Sequence, residues 1–452
     1  MSMINFIFRG AAVLFVGGML LNASCVQNNS PTPVTNNTVG NINTAINSNT
    51  QSAPTETQTK TTAAVLTLPL LDALLADNDF VSEARRTLQA TDEELDKLKN
   101  AARDAVLKLS DDPSEDHSRS TKIAVDDAKK QLQQVLGADR ANRFMQLVDK
   151  YAGNQDLVNS APNQVPTDTR VVVNAPAYRM DVFDKGKLVQ SYKIGIGYPE
   201  FPLPTGLRQA KSLIFNPTWT PPDEPWVKGK VAPGKTVEAG SKLNPLGPIK
   251  IPIGLPNLIH GGKSPSRLGT FASHGCVGLT NPMIEDFAAK ITGLLGEPLS
   301  VDDIKGYEKA KTETKEVKLK ESIPVELRYE TIVVENGTLK IYRDVYERGT
   351  NTEENLKRVL DAYGMSLDEL QSDLRSQIVE GLSQMAVDAS GNPVDVSQNS
   401  DTERDKDKKA AKGNSNQGDG RVTRDIKGKK VLEFKIPQLA GKGYPEPVGL
   451  KA

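Results

Sequence analysis

The sequence of residues 170–197, RVVVNAPAYRMDVFDKGKLVQSYKIGIG, decides the fold class of the central part of the chain. Apolar and polar side chains alternate along it, as in strands that bury one face, and DKGK marks a tight turn between two such runs. Proline and glycine are dense in the segments that follow, among them NPTWTPP and NPLGPIKIPIG. Short strands between tight turns predict a mostly-β body that begins at about residue 169.

Helical patterns precede this body, from about residue 65 to residue 151. TDEELDKLKNAARDAVLKL begins with a capping box, because Thr91 can cap a helix and Glu94 stands three residues later. KIAVDDAKKQLQQVLG repeats the helical spacing and ends at Gly137, and RANRFMQLVDKY is a third, shorter helix. Between the first two, SDDPSEDHSRS places His117 in a polar loop, where we interpret it as a solvated side chain.

Patterns on the C-terminal side predict more helix and one further strand. TEENLKRVLDAYGMSLDELQSDLRSQIVEGLSQM indicates two helices, with Gly364 as a stop and SLDE, residues 366–369, as a second capping box. SQNSDTERDKDKKAAKGNSNQGDGR is charged and of low complexity, which predicts a disordered linker. KKVLEFKIPQL, near the end, predicts a strand.

The N-terminal sequence is typical of an export signal. Arg9 precedes AAVLFVGGMLL, an apolar run too short for a comfortable membrane span, and the run ends in NASC. Cys25 follows small residues, as at a bacterial lipoprotein cleavage site, so lipidation of Cys25 and simple cleavage both stay open, with an uncleaved anchor as a third reading. The Asn-, Thr- and Ser-rich segment that follows predicts a flexible tether, and we expect the folded part to lie outside the cytoplasm.

The composition limits the classes of function. The 452 residues can form two or three domains, and 56 Lys and Arg against 57 Asp and Glu leave a formal net charge of −1. Such a balance argues against nucleic acid as the main partner. No P-loop or dinucleotide glycine pattern occurs, so no nucleotide cofactor is expected.

The residues most suited to chemistry are concentrated in RLGTFASHGCVGLTNP, residues 267–282. The whole chain has three histidines and two cysteines, yet His274 and Cys276 stand two residues apart here, and His260 lies just upstream in NLIHGG. A cysteine thiolate attacks carbonyls, and a neighbouring imidazole is expected to keep the thiol partly ionised near neutral pH. A buried structural thiol and a zinc site with His260, His274 and Cys276 as ligands remain alternatives.

These motifs resemble a known family. IHGG followed by SHGCVGLTN is similar to the catalytic signature of the YkuD-type L,D-transpeptidases, cysteine acyltransferases of the bacterial cell wall. The opening hairpin, PLPTG, NPTWTPP, LNPLGPIKI and the later IPVELRYETIVVENGTLKIYRDVYER also resemble stretches of that family, so that the resemblance covers about residues 169–348. One departure is Gly278, where the family usually has Arg or Asn.

The resemblance implies a role for each residue of the motif. Cys276 would be the nucleophile and His260 the proton donor and acceptor, while His274 and Ser273 would orient them. The backbone of Gly275 and Cys276 would contribute to an oxyanion hole. Which histidine is the base depends on geometry, and the sequence leaves it open.

Three further residues are candidates for substrate binding. They are Trp219, Asn216 and Gly261. For Trp219 and Asn216 we favour a role in shaping and bracing the cleft over a role in the reaction. For Trp219 we prefer the simpler interpretation that it is a tryptophan of the core.

The implied fold is α+β, with a mostly-β L,D-transpeptidase-like catalytic domain flanked by helical segments and disordered linkers. The predicted segments are a signal peptide at 1–25, a tether at 26–63, a helical region at 64–155, the catalytic domain at 168–304, a β-rich extension at 305–350, a helical region at 351–390, a linker at 391–430 and a C-terminal tail at 431–452.

The implied reaction is acyl transfer between peptidoglycan stem peptides through a Cys276 thioester, without metal or cofactor. An amine acceptor would form a 3→3 crosslink, and water as acceptor would make the protein an L,D-carboxypeptidase or another stem-peptide hydrolase. A non-catalytic wall-binding protein is a third possibility. The resemblance also implies acylation by carbapenem-type inhibitors and a place in the cell envelope, in the periplasm or anchored to a membrane.

Overall fold

The computed structural model describes residues 65–107, 117–152, 160–220, 235–254, 257–394 and 421–450. The signal peptide, Cys25, the whole tether and most of the charged linker lie outside these residues. Within them, no helix is both long and apolar enough to span a membrane.

The N-terminal part is a helical bundle with its own apolar core. Its elements are α1 (Leu68–Leu75), α2 (Asn78–Leu88), α3 (Asp92–Leu107), β1 (His117–Arg119), α4 (Thr121–Leu136) and α5 (Ala138–Tyr151). The capping box of α3 is confirmed, because Thr91 N donates to Glu94 Oε2 at 3.0 Å and Glu94 N donates to Thr91 Oγ1 at 3.2 Å. His117 is exposed, as predicted, but it lies in a short strand rather than a loop.

The central part is an eight-stranded sheet with a short parallel pair beside it. Its elements are β2 (Arg170–Asn174), β3 (Arg179–Asp184), β4 (Lys187–Lys193), β5 (Ile196–Gly197), β6 (Gly206–Phe215), β7 (Ile249–Pro252), β8 (Leu258–His260), β9 (Phe271–Ser273), β10 (Val277–Gly278), α6 (Asn281–Leu294), α7 (Val301–Lys309) and β11 (Lys315–Arg328). The strand order in the large sheet is β10-β8-β7-β6-β11-β2-β3-β4. The predicted hairpin turn is present, since Lys185 and Gly186 both have positive φ, as a two-residue type I′ turn requires.

The longest strand of the large sheet comes from the segment that the sequence assigns to an extension. β11 lies between β6, to which it is antiparallel, and β2, to which it is parallel. The predicted boundary between residues 304 and 305 therefore falls inside the body that carries the sheet. β11 pairs with residues a hundred or more positions away, so no local sequence pattern indicates which strands are its neighbours.

The C-terminal part adds a second, smaller sheet with helices packed on it. Its elements are β12 (Ile332–Glu335), β13 (Thr338–Tyr342), α8 (Glu353–Asp361), α9 (Ser372–Met385), β14 (Arg421–Thr423) and β15 (Val431–Lys435), with sheet order β12-β13-β15. The capping box of Ser366 and Glu369 is present, but it closes a 3₁₀ turn, and α9 begins later, at Ser372. β14, which falls in the predicted linker, pairs with β1 of the helical bundle. The α+β fold class with a mostly-β central body is confirmed.

The helical bundle is hydrogen-bonded to the loop of residues 198–203 and to Glu347. Thr67 Oγ1 donates to the Glu200 carbonyl at 2.7 Å, and Thr121 Oγ1 donates to the Pro199 carbonyl at 2.7 Å. The Glu347 carboxylate accepts from Ser120 Oγ at 2.5 Å and from the Thr121 N–H at 2.9 Å, at the first turn of α4. These are buried or half-buried polar contacts, so the bundle and the central body pack as one folded unit.

We expect Leu327→Ala in β11 to lower the free energy of unfolding by about 2–5 kcal/mol, because the fully buried leucine leaves a cavity in the middle of the sheet. Chemical denaturation followed by circular dichroism measures the change. The control is Leu243→Ala, at a leucine that is 53% exposed, which should change stability by less than about 0.5 kcal/mol. Equal losses in the two variants would contradict a central position for β11.

Candidate active site

The candidate nucleophile stands in a tight turn between β9 and β10. Ser273 Oγ donates to the Cys276 carbonyl at 2.6 Å and accepts from the Cys276 N–H at 3.0 Å. One hydroxyl thus closes the turn that presents the thiol. In this conformation the Cys276 N–H is bonded to Ser273, and the role in an oxyanion hole that the family resemblance implies for it stays a prediction.

Gly275 has the backbone conformation that this turn requires. Its φ of +95° lies in the left-handed region that side chains with a Cβ avoid. The Gly275 carbonyl accepts a hydrogen bond of 2.5 Å from Asn257 Nδ2, and Asn257 is almost fully buried. Asn257 could not be identified as a site residue from the sequence, where its one signal is that it is a polar residue just before the apolar strand β8.

His260 lies on the strand next to the nucleophile. β8 and β10 are parallel neighbours, with Gly278 in register with His260, and the Leu279 N–H donates to the His260 carbonyl at 2.8 Å. His260 Nδ1 lies 2.7 Å from the Gly261 carbonyl. A carbonyl oxygen can accept but not donate, so Nδ1 carries the proton and Nε2 of the neutral ring carries a lone pair.

The imidazole of His260 is neutral at physiological pH. Burial lowers its pKa to about 3, the charge of Lys263 acts in the same direction, and backbone contacts with Gly261 and Leu246 oppose the shift weakly. A neutral ring with a free lone pair is the form that a general base needs. His260 thus rests in the protonation state that can take up a proton.

His274 has a different environment. Its ring is packed edge-on between Tyr198, at a centroid distance of 5.2 Å, and Phe201, at 4.8 Å. Both aromatics belong to the loop that the helical bundle contacts through Glu200 and Pro199. The structure thus places His274 against that loop, at the wall of the site.

Burial raises the pKa of the Cys276 thiol, and two smaller influences lower it, a backbone hydrogen bond from Leu258 and the charge of Lys263. The expectation that an imidazole keeps the thiol partly ionised is therefore wrong for the resting protein. The reason is that burial penalises thiolate and imidazolium alike. Burial thus favours the neutral form of both the Cys276 thiol and the His260 ring.

The three candidates for substrate binding have structural contacts. Asn216 Nδ2 contacts the carbonyls of Tyr307 and Ala310 at 2.6 and 3.0 Å, which ties the end of β6 to the end of α7 and favours the bracing role. Trp219 exchanges two backbone hydrogen bonds with Val237, at 2.9 and 2.7 Å. The Gly261 carbonyl orients His260, as described above. Of these three residues, the described contacts bring Gly261 alone to the pair of His260 and Cys276.

A metal centre was a further alternative from the sequence. Across the described ranges, no group of three or more His, Cys, Asp and Glu side chains is arranged to hold a metal ion.

Comparison with known proteins gives one family and several solved structures. Residues 168–319 match the family model of the YkuD L,D-transpeptidase catalytic domain, and no curated protein sequence matches. The matched segment includes His260 and the SHGC motif, and it ends inside β11. The resemblance that the motifs indicate is thus confirmed for this segment.

The similar solved structures include the catalytic domain of the E. faecium L,D-transpeptidase, with 17% identity over 36% of this chain and 99% of that domain and a TM-score of 0.24. An L,D-transpeptidase from Mycobacterium smegmatis has 16% identity over 35% of this chain and 58% of its own, with a TM-score of 0.21. L,D-transpeptidase 3 from Mycobacterium tuberculosis, in complex with a faropenem-derived adduct, has 16% identity over 35% and 60%, also with a TM-score of 0.21. Other solved chains are longer than the catalytic domain, and this chain spans about half the length of the first of them, 48%.

The neutral thiol leads to a prediction about pH. We expect the rate at which iodoacetamide alkylates Cys276 to rise about tenfold per unit between pH 6 and 8, because the thiolate fraction rises tenfold per unit below the pKa. The measurement uses the full chain with Cys25→Ala, which leaves Cys276 as its one cysteine, and Cys276→Ala as the blank. A rate that is flat across this range would reveal a preformed thiolate and contradict the description of the resting site.

Proposed function

We propose that this protein is a peptidoglycan L,D-transpeptidase that forms 3→3 crosslinks between stem peptides. The observation that carries the proposal is the placement of Cys276 in the turn just before β10 and of a neutral His260 at the end of β8, the parallel neighbour of β10, within a segment that matches the L,D-transpeptidase catalytic domain. A purely wall-binding protein would have no need of a base with a lone pair beside a thiol.

The first step forms the acyl-enzyme. As the Cys276 sulfur attacks the carbonyl carbon of the third residue of a tetrapeptide stem, the thiol proton passes to His260 Nε2. The tetrahedral intermediate collapses, the bond to the terminal D-alanine breaks, and His260 returns the proton to the departing amine. Because both groups start neutral, charge develops only during the attack, when the carbonyl oxygen becomes negative.

The second step transfers the acyl group. The side-chain amine of a neighbouring stem attacks the thioester carbonyl, His260 takes a proton from that amine, and the sulfur leaves. The proton then returns to Cys276, and the products are a 3→3 amide bond and the free thiol. Since every proton moves through one imidazole, the ring orientation set by the Gly261 carbonyl serves both steps.

The proposal extends to where the protein works. We infer an exported protein that acts on the cell wall, held in the envelope by its N-terminal segment or released into the periplasm. What supports this inference is the signal-like sequence and the substrate, which lies outside the cytoplasm. The sequence of the tether, from residue 26 to residue 63, would let the folded part reach away from a membrane.

We expect the protein to convert disaccharide-tetrapeptides into 3→3 crosslinked dimers with release of D-alanine, and Cys276→Ala to lower this turnover at least about 10³-fold. Mass spectrometry of the muropeptides measures both products. Tripeptide monomers without dimers would replace the proposal with a carboxypeptidase. Release of D-alanine by Cys276→Ala at the normal rate would remove the nucleophile assignment altogether.

A matched pair of variants tests the choice of base in the same assay. His260→Gln should lower kcat about 10²- to 10⁴-fold, the usual loss on removal of a general base, because glutamine cannot take up a proton. His274→Gln should cost less, since that ring packs at the wall of the site. The reverse order of losses would reassign the base to His274.

We expect a carbapenem to acylate Cys276. Its strained carbonyl reacts with an activated thiol, and ring opening loses no atoms, so the protein should gain the mass of one intact carbapenem. Intact-protein mass spectrometry detects the adduct, peptide mapping locates it, and Cys276→Ala is the control. A folded, reduced sample that stays unmodified after overnight incubation would argue against a working nucleophile.

A further inference from the structure

Gly278 leaves a space beside the nucleophile, and the side chain of Lys263 fills it. A Cβ built on Gly278 would lie 2.7 Å from Lys263 Cγ, 2.9 Å from Cε and 3.3 Å from Cδ. Gly278 lies in β10, two residues after Cys276, which stands in the turn before that strand. The lysine chain therefore runs past a position two residues from the nucleophile, and the charges of Lys263 and Cys276 act on each other.

The backbone around Lys263 holds it in this place. The Lys263 N–H donates to the Leu279 carbonyl at 3.0 Å, and the Gly262 N–H just before it donates to Asn281 Oδ1 at 2.7 Å. Both acceptors follow β10 closely, one in the next residue and one at the start of α6. The loop after His260 is thus tied to the segment after Cys276, with Lys263 between them.

We propose that Lys263 is a positioning residue that stabilises the thiolate of Cys276 through the positive charge of its ammonium group. In a cysteine–histidine pair this stabilisation usually comes from an imidazolium. Here His260 is buried and neutral, so the positive charge that stabilises the thiolate comes from Lys263 instead of an imidazolium. Lys263 reaches the site along the surface that Gly278 leaves open.

The electrostatics of the site agree with this placement. Lys263 lowers the pKa of the Cys276 thiol, against the larger effect of burial, and it also lowers that of His260. Burial lowers the pKa of Lys263 itself to about 8, with Cys276 opposing the shift and Arg267 adding to it. The lysine thus favours a thiolate while it disfavours an imidazolium, and it keeps His260 available as a base.

Arg267, whose charge also lowers the pKa of Lys263, has partners of its own. Arg267 donates to the Tyr198 hydroxyl at 3.0 Å and lies 3.8 Å from the Asp425 carboxylate. Among the described residues, no carboxylate contributes to the shift in the Lys263 pKa. The positive charge of Lys263 is therefore not neutralised by an ion pair with a described residue.

The inference concerns the nucleophile of the proposed reaction, and it rests on the proposed function only for its effect on turnover. Alkylation by iodoacetamide reports on the thiol without any acyl donor. If the protein fails to crosslink stem peptides but the alkylation results below hold, the proposed function fails and the role of Lys263 stands.

The test is the pH dependence of Cys276 alkylation in the full chain with Cys25→Ala. Lys263→Met, which keeps the length and apolar bulk but removes the charge, should react about 3- to 10-fold more slowly at pH 7, since one pKa unit is a tenfold change in thiolate. The difference in alkylation rate between the parent and Lys263→Met should narrow above about pH 8, where Lys263 itself loses its proton. Lys263→Arg should restore most of the rate.

A lysine at the opposite edge of the large sheet is the matched control. Lys187→Met, at the start of β4, is exposed and should leave the alkylation curve unchanged. Thermal melts of every variant check that the fold is intact. A Lys263→Met curve that superimposes on the parent, or one slowed by the same factor at every pH, would overturn the proposal, as would an arginine variant as slow as the methionine variant.

Gly278→Ala provides an independent test, because its Cβ should displace the lysine chain. We expect slower alkylation at pH 7, in the same direction as Lys263→Met. In the Lys263→Met background, Gly278→Ala should slow the alkylation of Cys276 almost no further, so the effects of the two changes on the rate should be strongly non-additive. Additive effects would show that Gly278 acts on the thiol without Lys263 and would contradict the inference.

Discussion

The parallel pairing of β8 with β10 is the constraint on which the rest of the site depends. It rests on few backbone hydrogen bonds, among them the one from Leu279 to the His260 carbonyl. Because the two strands run side by side at the edge of the large sheet, the end of one presents a base and the start of the other presents a thiol. The turn closed by Ser273 and the carbonyl of Gly261 then fix the orientation of each group.

Burial is the second determinant of the chemistry. It removes the stabilisation that water gives to charges, so it favours the neutral forms of the Cys276 thiol and of the His260 imidazole. A thiolate reacts readily with electrophiles, whereas a neutral thiol reacts slowly. The packing that positions the two groups thus also favours their less reactive forms.

Local features of the sequence predicted local features of the structure well. The alternation of residues 170–197 and its DKGK turn, the capping box at Thr91 and the stop at Gly137 all follow from interactions within a few residues, and each is present. The grouping of His260 with the SHGC motif likewise anticipated the site, because the chain is so poor in both residue types. Long-range features were not predictable, since the place of β11 inside the large sheet and the pairing of β1 with β14 depend on partners far away in the chain. The contacts of Asn257 with Gly275 and of Lys263 with Gly278 belong to the same class.

The loop of residues 198–203 joins two parts of the molecule that the sequence describes separately. On one side Thr67 and Thr121 of the helical bundle are bonded to it, and on the other Tyr198 and Phe201 enclose the ring of His274. The free energy with which the bundle docks is therefore thermodynamically linked to the order of the active-site wall. Any change in how the bundle packs on this loop would therefore also change the surroundings of the His274 ring.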